Sequence, residues 1–220
     1  MTVDLRVYAI VDPEHAGGHG LAELGAQLAS GGATLVQLRD KKGETREMIE
    51  RARALLNALA PSRVPLLIND RVDVALAVGA AGVHIGQDDM PVTDARRLLG
   101  RQAIIGLSVK TLQQAAAAPL DTLDYVAVGG VFATTSKDNT SAPIGLEGLR
   151  SIAGAIRARA PGFPVCAIAG INERNAAGVI ESGADGVSVI SALSLVDDPR
   201  AATQRLRNIV DGALAKRARR

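Results

Sequence analysis

The chain has 220 residues, a formal net charge of +2 and a hydrophobic content of 47%, but only 2% of its residues are aromatic. The small charge and the scarcity of side chains that stack on bases argue against a nucleic-acid-binding protein. A single cysteine, Cys166, excludes an internal disulfide, and no segment approaches the roughly 20 apolar residues of a membrane helix. We therefore expect a cytoplasmic protein with no nucleic-acid or membrane partner.

Eight short runs rich in Val, Ile and Leu alternate along the chain with segments of helical periodicity. The predicted strands are, in order, LRVYAIV (5–11), TLVQLR (34–39), PLLIN (65–69), GVHIG (82–86), AIIGLSV (103–109), YVAVG (125–129), PVCAIAG (164–170) and GVSVIS (186–191). Segments 44–60 and 146–160 carry apolar residues at the spacing of amphipathic helices. Strands that alternate with helices pair in parallel through right-handed crossovers. Eight such units predict an α/β fold, a closed (β/α)8 TIM barrel.

An open doubly wound sheet is the alternative fold. Such a sheet usually carries a glycine-rich fingerprint after its first strand, and the sequence VDPEHAGGHG at that place does not fit GxGxxG. No linker or change in composition divides the chain, so we expect a single domain over residues 1–220. Its basic C-terminal tail, about 212–220, is interpreted as a solvated helix end rather than a phosphate-attracting arm. Cys166 lies in an apolar run and is interpreted as a core residue rather than a nucleophile.

Polar residues collect where the predicted strands end, which is the rim that carries the chemistry of barrel enzymes. They are Gln37, Arg39 and Lys41 after the second strand, Asn69 and Asp70 after the third, Asp88 and Asp89 after the fourth, and Ser108 after the fifth. Because neighbouring strand ends meet at one rim, we expect these acidic and basic side chains to form one site of mixed charge.

The carboxylates of this group predict a Mg²⁺ site. Mg²⁺ binds few protein carboxylates, keeps several waters and takes further oxygens from substrate phosphates. The histidines and Cys166 lack the spacing of zinc ligands. Asp89 is the favoured metal ligand and Asp88 a solvated neighbour, whereas Asp70 is equally compatible with a helix N-cap. His84, inside a strand, is interpreted as a barrel histidine whose hydrogen bonds are satisfied.

The segment after the sixth strand, about 130–145, is long, lacks periodicity and is interpreted as a lid. It contains Thr134, Thr135, Ser136 and Lys137, a hydroxyl-rich run that suits an anion. It lacks the glycine before lysine that a nucleotide-binding P-loop requires. A mobile surface loop is the alternative interpretation.

A second anion site is predicted after the seventh and eighth strands, where barrels commonly bind phosphate through backbone N–H groups. Gly170, Ile190 and Ser191 lie there. The same stretch also reads as an ordinary helix start that Asn172 would cap.

The motifs QLRDK, IND, HIGQDD, GLSV, GVFATTSK, AIAGI and VSVISAL, in this order between Tyr8 and about Pro199, resemble those of the thiamine phosphate synthase family. The resemblance implies that a pyrimidine methyl diphosphate condenses with a thiazole phosphate, or its carboxylated form, to give thiamine phosphate and pyrophosphate. It implies a dissociative mechanism, in which pyrophosphate leaves before the thiazole nitrogen attacks a pyrimidine methylene cation.

The resemblance also assigns roles to residues. Asp70 and Asp89 are implied as Mg²⁺ ligands. The implied contacts of the pyrimidine diphosphate are Gln37, Arg39, Lys41, Asn69, Ser108 and Lys137, of which Lys137, Arg39 and Ser108 are the expected catalytic residues. The implied contacts of the thiazole phosphate are Thr134, Thr135, Ser136, Gly170, Ile190 and Ser191.

Two other functions compete with the synthase. A thiazole tautomerase-like paralogue would need neither the Mg²⁺ carboxylates nor the lid lysine. A non-catalytic barrel that binds a phosphate metabolite would have little reason to combine Arg39, Lys41, Asp70, Asp89 and Lys137. The expected partners are small-molecule substrates, and a homo-oligomer is left open.

Overall fold

A computed structural model describes residues 3–136 and 142–219. Its strands are β1 (Val7–Val11), β2 (Leu35–Leu38), β3 (Leu66–Asn69), β4 (Gly82–Ile85), β5 (Ile104–Val109), β6 (Tyr125–Val128), β7 (Val165–Ile168) and β8 (Gly186–Val189). Each strand pairs in parallel with the next, and β8 pairs with β1 to close the barrel. The predicted TIM barrel is confirmed, and each observed strand lies within its predicted run.

Helices follow the strands and surround the barrel. They are α1 (Leu21–Ser30), α2 (Thr45–Leu59), α3 (Val72–Val78), α4 (Val92–Leu99), α5 (Leu112–Ala117), α6 (Gly145–Arg159), α7 (Ala176–Glu181), α8 (Ser191–Ser194) and α9 (Pro199–Ala218). The two segments predicted to be amphipathic helices correspond to α2 and α6. No helix within residues 3–136 and 142–219 is both long enough and apolar enough to cross a membrane.

The strands divide their side chains between two cores, because alternate residues of a strand point to opposite faces. In β1, Val7, Ala9 and Val11 belong to the large core beneath the helices. Tyr8 belongs to a smaller core in the barrel lumen, which also contains Tyr125 and Cys166. Cys166 is fully buried there, and burial raises the pKa of its thiol, as fits a core residue rather than a nucleophile.

Two equivalent Arg–Asp pairs connect neighbouring strands at the N-terminal end of the barrel, and one of them lies at the helix–strand junction GADG (183–186). Asp124 and Asp185, each just before a strand, accept a backbone N–H of the neighbouring strand at 2.8 and 2.9 Å. Arg96 and Arg157, each 28 residues earlier, form the ion pairs with these carboxylates. The same Arg–Asp arrangement therefore occurs twice for a structural reason: each pair holds a strand to its neighbour at the end of the barrel away from the functional rim.

The described part of the basic tail is the end of α9, which lies against α7. Lys216 pairs with Glu181, and Arg217 donates hydrogen bonds to the carbonyls of Ile180 and Ala184 as well as to Asp185. These contacts fix the last turn of α9 on the barrel wall.

Candidate active site at the carboxyl ends of the strands

Two groups of cavities open at the carboxyl ends of the strands. The first, here called the β2–β5 cavity, has a volume of about 310 Å³. It is lined by Arg39, Lys41, Asn69, Asp70, His84, Gly86, Gln87, Asp88, Asp89, Ser108, Lys110 and Gln114. The second, the β6–β8 cavity, has an inner part of about 40 Å³ and an outer part of about 450 Å³ that share Thr134, Gly170, Ile171 and Ser191. Except for Gln37 and Lys137, the strand-end residues predicted to form two anion sites lie in two separate depressions of one rim.

Asp70 occupies a strained turn between β3 and α3. Its φ of 60° is left-handed, a region that non-glycine residues adopt rarely. Its N–H donates to the carbonyl of His84 at 2.8 Å, which ties the turn to β4. The N-cap position of α3 belongs to Arg71, whereas the Asp70 side chain accepts a hydrogen bond from Asn69 Nδ2 at 2.6 Å and pairs with Lys41. The alternative interpretation of Asp70 as a helix N-cap is therefore wrong.

The Asp70 and Asp89 carboxyl groups follow adjacent strands and lie near each other in the β2–β5 cavity. Burial is the largest influence that raises the pKa of Asp70, and the nearby Asp89 charge adds to it, although Lys41 acts in the opposite direction. Asp89 is held by its own contact, because its Oδ2 accepts the Gly86 N–H at 2.7 Å. Two crowded acids at one edge of a cavity form a place where a cation would relieve repulsion.

The donor set at this edge fits Mg²⁺. Asp70 and Asp89 offer two carboxylates at this edge, and within the described residues no group of three or more His, Cys, Asp or Glu side chains could surround a metal ion. Mg²⁺ commonly uses one or two carboxylates and completes its octahedron with water and phosphate oxygens. Asp88 is exposed, in agreement with its interpretation as a solvated neighbour.

Arg39 is held in the β2–β5 cavity by Asp12, a residue that the strand-end analysis did not single out. Asp12 is only 1% exposed, accepts the Glu14 N–H at 2.9 Å and forms an ion pair with Arg39. A buried carboxylate of this kind fixes the direction of a guanidinium group. The signal was present in the sequence, because Asp12 directly follows Val11 at the end of β1.

Ser108 at the floor of the same cavity is bonded to His84, whose Nε2 lies 2.9 Å from the serine Oγ. His84 Nδ1 lies 2.8 Å from the Tyr125 hydroxyl, so the histidine has partners on both ring nitrogens, as predicted. Gln37 is fully buried in the lumen and donates to the Tyr8 hydroxyl. It does not line the β2–β5 cavity in this structure.

Hydroxyl groups and backbone line the β6–β8 cavity. Ser136 Oγ donates to Ser191 Oγ at 3.2 Å and so connects the segment after β6 to the start of α8. The Ser188 hydroxyl is buried and has no hydrogen-bond partner within the described part of the chain. Gly170 has a φ of 64°, and a Cβ there would lie 2.4 Å from the Ala133 carbonyl oxygen, so only glycine fits this close approach.

Two further sequence predictions concern this end of the barrel. Asn172 accepts the Arg174 N–H at 2.9 Å, but α7 begins only at Ala176 with Asn175 in the N-cap position. The expected helix start at Asn172 is therefore wrong: the residue caps a turn that precedes the helix. Lys137 and residues 138–141 of the predicted lid lie outside the described residues, whereas Ile190, Thr134 and Thr135 lie at the β6–β8 cavity.

Comparisons with known proteins add to this geometry. Residues 7–193 match the family model described as thiamine monophosphate synthase. The chain is 49% identical to a thiamine-phosphate synthase of Agrobacterium fabrum over 98% of each chain, and 47% identical to one of Chloroflexus aurantiacus over 94% of each. A solved thiamine phosphate pyrophosphorylase from Pyrococcus furiosus superposes with a TM-score of 0.83 at 39% identity, covering 96% of this chain and 98% of that one.

Proposed function

The chain belongs to the thiamine monophosphate synthase family and is a transferase, and from that premise we propose the reaction that it catalyses. It joins 4-amino-2-methyl-5-(diphosphooxymethyl)pyrimidine to 4-methyl-5-(2-phosphooxyethyl)thiazole and releases pyrophosphate. In this reaction the bond from the pyrimidine methylene carbon to the diphosphate oxygen breaks. A bond from the same carbon to the thiazole nitrogen forms.

The observation that carries the proposal is the pair of chemically different cavities on one rim. The β2–β5 cavity combines carboxylates with Arg39 and Lys41, as a diphosphate accompanied by a divalent cation requires. The β6–β8 cavity has hydroxyls, backbone and no carboxylate among its described lining residues, as suits a phosphate monoester without a metal. The two substrates carry one anionic group each, so the diphosphate would occupy the β2–β5 cavity and the thiazole phosphate the β6–β8 cavity.

Asp70 and Asp89 would hold Mg²⁺ beside the diphosphate. When bound, the cation would neutralise charge that grows on the departing diphosphate. Lys41, which pairs with Asp70 in the structure, would then be available to the phosphate oxygens.

The basic residues stabilise the leaving group directly. The buried Asp12 fixes the orientation of Arg39. The guanidinium group is therefore already ordered before it binds the diphosphate, and binding costs less conformational entropy. Lys137 is assigned to the same role from the family motif. Asn69 donates to Asp70 and keeps the carboxylate in place.

Bond formation needs no general base, because the thiazole ring nitrogen is a neutral nucleophile with a free electron pair. His84 and Ser108 line the β2–β5 cavity and are hydrogen-bonded to each other, and we assign neither of them the role of a general base. A short-lived pyrimidine cation must be shielded from water until the thiazole attacks. We assign this shielding to the segment at 130–145.

The thiazole phosphate is assigned to the β6–β8 cavity. Ser136 and Ser191, already joined by a hydrogen bond, would bind its phosphate together with the backbone at Gly170 and Ile190. Thr134 and Thr135 border the outer part of the cavity. The unpartnered hydroxyl of Ser188 supports a polar ligand in the inner part.

The test is to incubate the protein with both substrates and Mg²⁺ and to measure pyrophosphate and thiamine phosphate. We expect equal amounts of the two products, and neither product when the thiazole phosphate or Mg²⁺ is left out. Conversion between thiazole isomers without pyrophosphate would favour the tautomerase. Binding of either substrate without turnover would favour the non-catalytic barrel.

A further inference from the structure

A continuous series of hydrogen-bonded side chains crosses the barrel lumen and ends at Ser108. This lumen chain consists of Gln37, Tyr8, Tyr125, His84 and Ser108. Gln37 Nε2 donates to the Tyr8 hydroxyl, and the hydroxyls of Tyr8 and Tyr125 lie 3.0 Å apart. The Tyr125 hydroxyl lies 2.8 Å from His84 Nδ1, and His84 Nε2 lies 2.9 Å from Ser108 Oγ.

Counting protons along the lumen chain gives it a direction. Each hydroxyl has one proton and a neutral imidazole has one N–H. The hydroxyl oxygens of Tyr8 and Tyr125 lie 3.0 Å apart, a distance at which either could donate to the other. Gln37 Nε2 already donates to Tyr8. If Tyr125 donated to Tyr8 as well, the Tyr8 proton would have no acceptor among the described residues. A buried hydroxyl proton without an acceptor is costly, so the Tyr8 proton goes to Tyr125.

The remaining links follow in the same direction. Tyr125 gives its proton to His84 Nδ1, which leaves the histidine N–H on Nε2, where it donates to Ser108 Oγ. The Ser108 proton is then directed into the β2–β5 cavity, which Ser108 lines. The opposite direction would leave the serine presenting only an oxygen lone pair.

We propose that Tyr125 and His84 are positioning residues that set Ser108 as a hydrogen-bond donor to the substrate, with Tyr8 and Gln37 fixing the direction of the chain. This role rests on the proposed function, because the acceptor is an atom of the pyrimidine diphosphate: a ring nitrogen or a phosphate oxygen. The assignment of the His84 proton does not depend on turnover.

Packing supports a polar role for the two tyrosines. Tyr8 and Tyr125 are almost fully buried among Leu35, Leu67 and other apolar residues, where phenylalanine would fill nearly the same space. Burial raises the pKa of both hydroxyls, which keeps their protons in place for donation. The Tyr125 ring requires Gly106 on the neighbouring strand, since a Cβ there would lie 2.0 Å from it.

The first test reads the His84 tautomer by NMR of the ¹⁵N-labelled full chain. Protonated and unprotonated ring nitrogens resonate in separate regions, and the chain has only three histidines. A His84→Gln variant assigns the signals. We expect the wild-type protein to carry the proton on Nε2. In Tyr125→Phe the Nδ1 partner is lost, and we expect a mixture of both tautomers.

The second test measures pyrophosphate release by the same proteins. For Tyr125→Phe we expect kcat to fall roughly tenfold, the effect of one hydrogen bond worth about 1.4 kcal/mol, while KM for the thiazole phosphate stays unchanged. Tyr8→Phe, one link further away, should lower kcat less. Thr203→Val is the matched control, because it deletes a buried hydroxyl that donates to the Pro199 carbonyl in α9, outside the lumen chain. It should alter neither the tautomer nor kcat.

A proton on Nδ1 of wild-type His84 would overturn the proposal. So would a Tyr125→Phe variant with wild-type tautomer and wild-type kcat. If Tyr125→Phe does not fold, the wild-type tautomer and the Tyr8→Phe kinetics still decide the question. Absence of pyrophosphate release by the wild-type protein would refute the proposed function. The His84 tautomer would still show in which direction the hydrogen bonds of the lumen chain run.

Discussion

Replacing Asp70 by glycine should separate the stability of the barrel from its catalysis. Asp70 has a φ of 60°, and a left-handed conformation costs a non-glycine residue about 1–2 kcal/mol. Glycine removes this strain but gives the unfolded chain more freedom, which costs about 0.5–1 kcal/mol. The substitution also loses the hydrogen bond from Asn69, worth about 1 kcal/mol, and the ion pair with the half-exposed Lys41, worth about 0–1 kcal/mol, and it removes repulsion from Asp89.

These contributions nearly cancel, so we expect the free energy of unfolding of Asp70→Gly to stay within about 1 kcal/mol of the wild-type value. For a chain of this length the melting temperature should then move by no more than about 2–4 °C in either direction. Turnover should fall at least about 100-fold, because the lost charge stabilisation of the leaving group amounts to several kcal/mol.

The assays are calorimetric unfolding and pyrophosphate release at saturating substrates. Arg63→Gly is the matched control: Arg63 also has a left-handed φ, 56°, but its side chain is exposed and lies at the other end of the barrel. We expect a slight rise in its melting temperature and unchanged turnover. A loss of more than about 3 kcal/mol in Asp70→Gly would make Asp70 a structural residue. Wild-type turnover by Asp70→Gly would show that Asp70 is not a metal ligand.

Three further predictions concern other parts of the chain. Asp89→Ala should abolish Mg²⁺-dependent turnover while the circular dichroism spectrum and cooperative unfolding remain; an unfolded protein would instead make the Asp89–Gly86 contact structural. Lys137→Ala should lower kcat far more than it raises the Kd of thiazole phosphate in calorimetric titration, and equal losses would argue against a leaving-group role. Cys166, fully buried and with a raised thiol pKa, should resist a thiol reagent at pH 8 until the protein is unfolded, whereas rapid labelling of the native protein would contradict its core position.

The barrel could be predicted from the sequence because its signal is local. Each strand is a short apolar run, and each run is followed by a turn and a helix, so the parallel order follows without knowledge of distant contacts. The rule that polar residues at strand ends form the site brought Asp70, Asp89 and Ser108 to one cavity. Strand bounds differ because the apolar runs extend beyond the paired residues.

Interactions across the lumen could not be read from the sequence in this way. Tyr8 and Tyr125 are 117 residues apart and meet only because the barrel closes. Asp12 was within reach of the strand-end rule, because it follows β1 just as Arg39 follows β2, and the pairing of Val11 with Leu38 places the two residues side by side. Asn172 shows a different limit: its cap hydrogen bond forms as expected, but the turn does not continue directly into α7.

The most direct test of the account is a crystal structure of the protein with thiamine phosphate, pyrophosphate and Mn²⁺ in place of Mg²⁺, located by its anomalous signal. We expect one ion bound to Asp70 and Asp89 and in contact with pyrophosphate, with the phosphate of thiamine phosphate beside Gly170 and Ser191. An ordered pyrophosphate with no ion between it and these two carboxylates, or one bound in the β6–β8 cavity, would contradict the account.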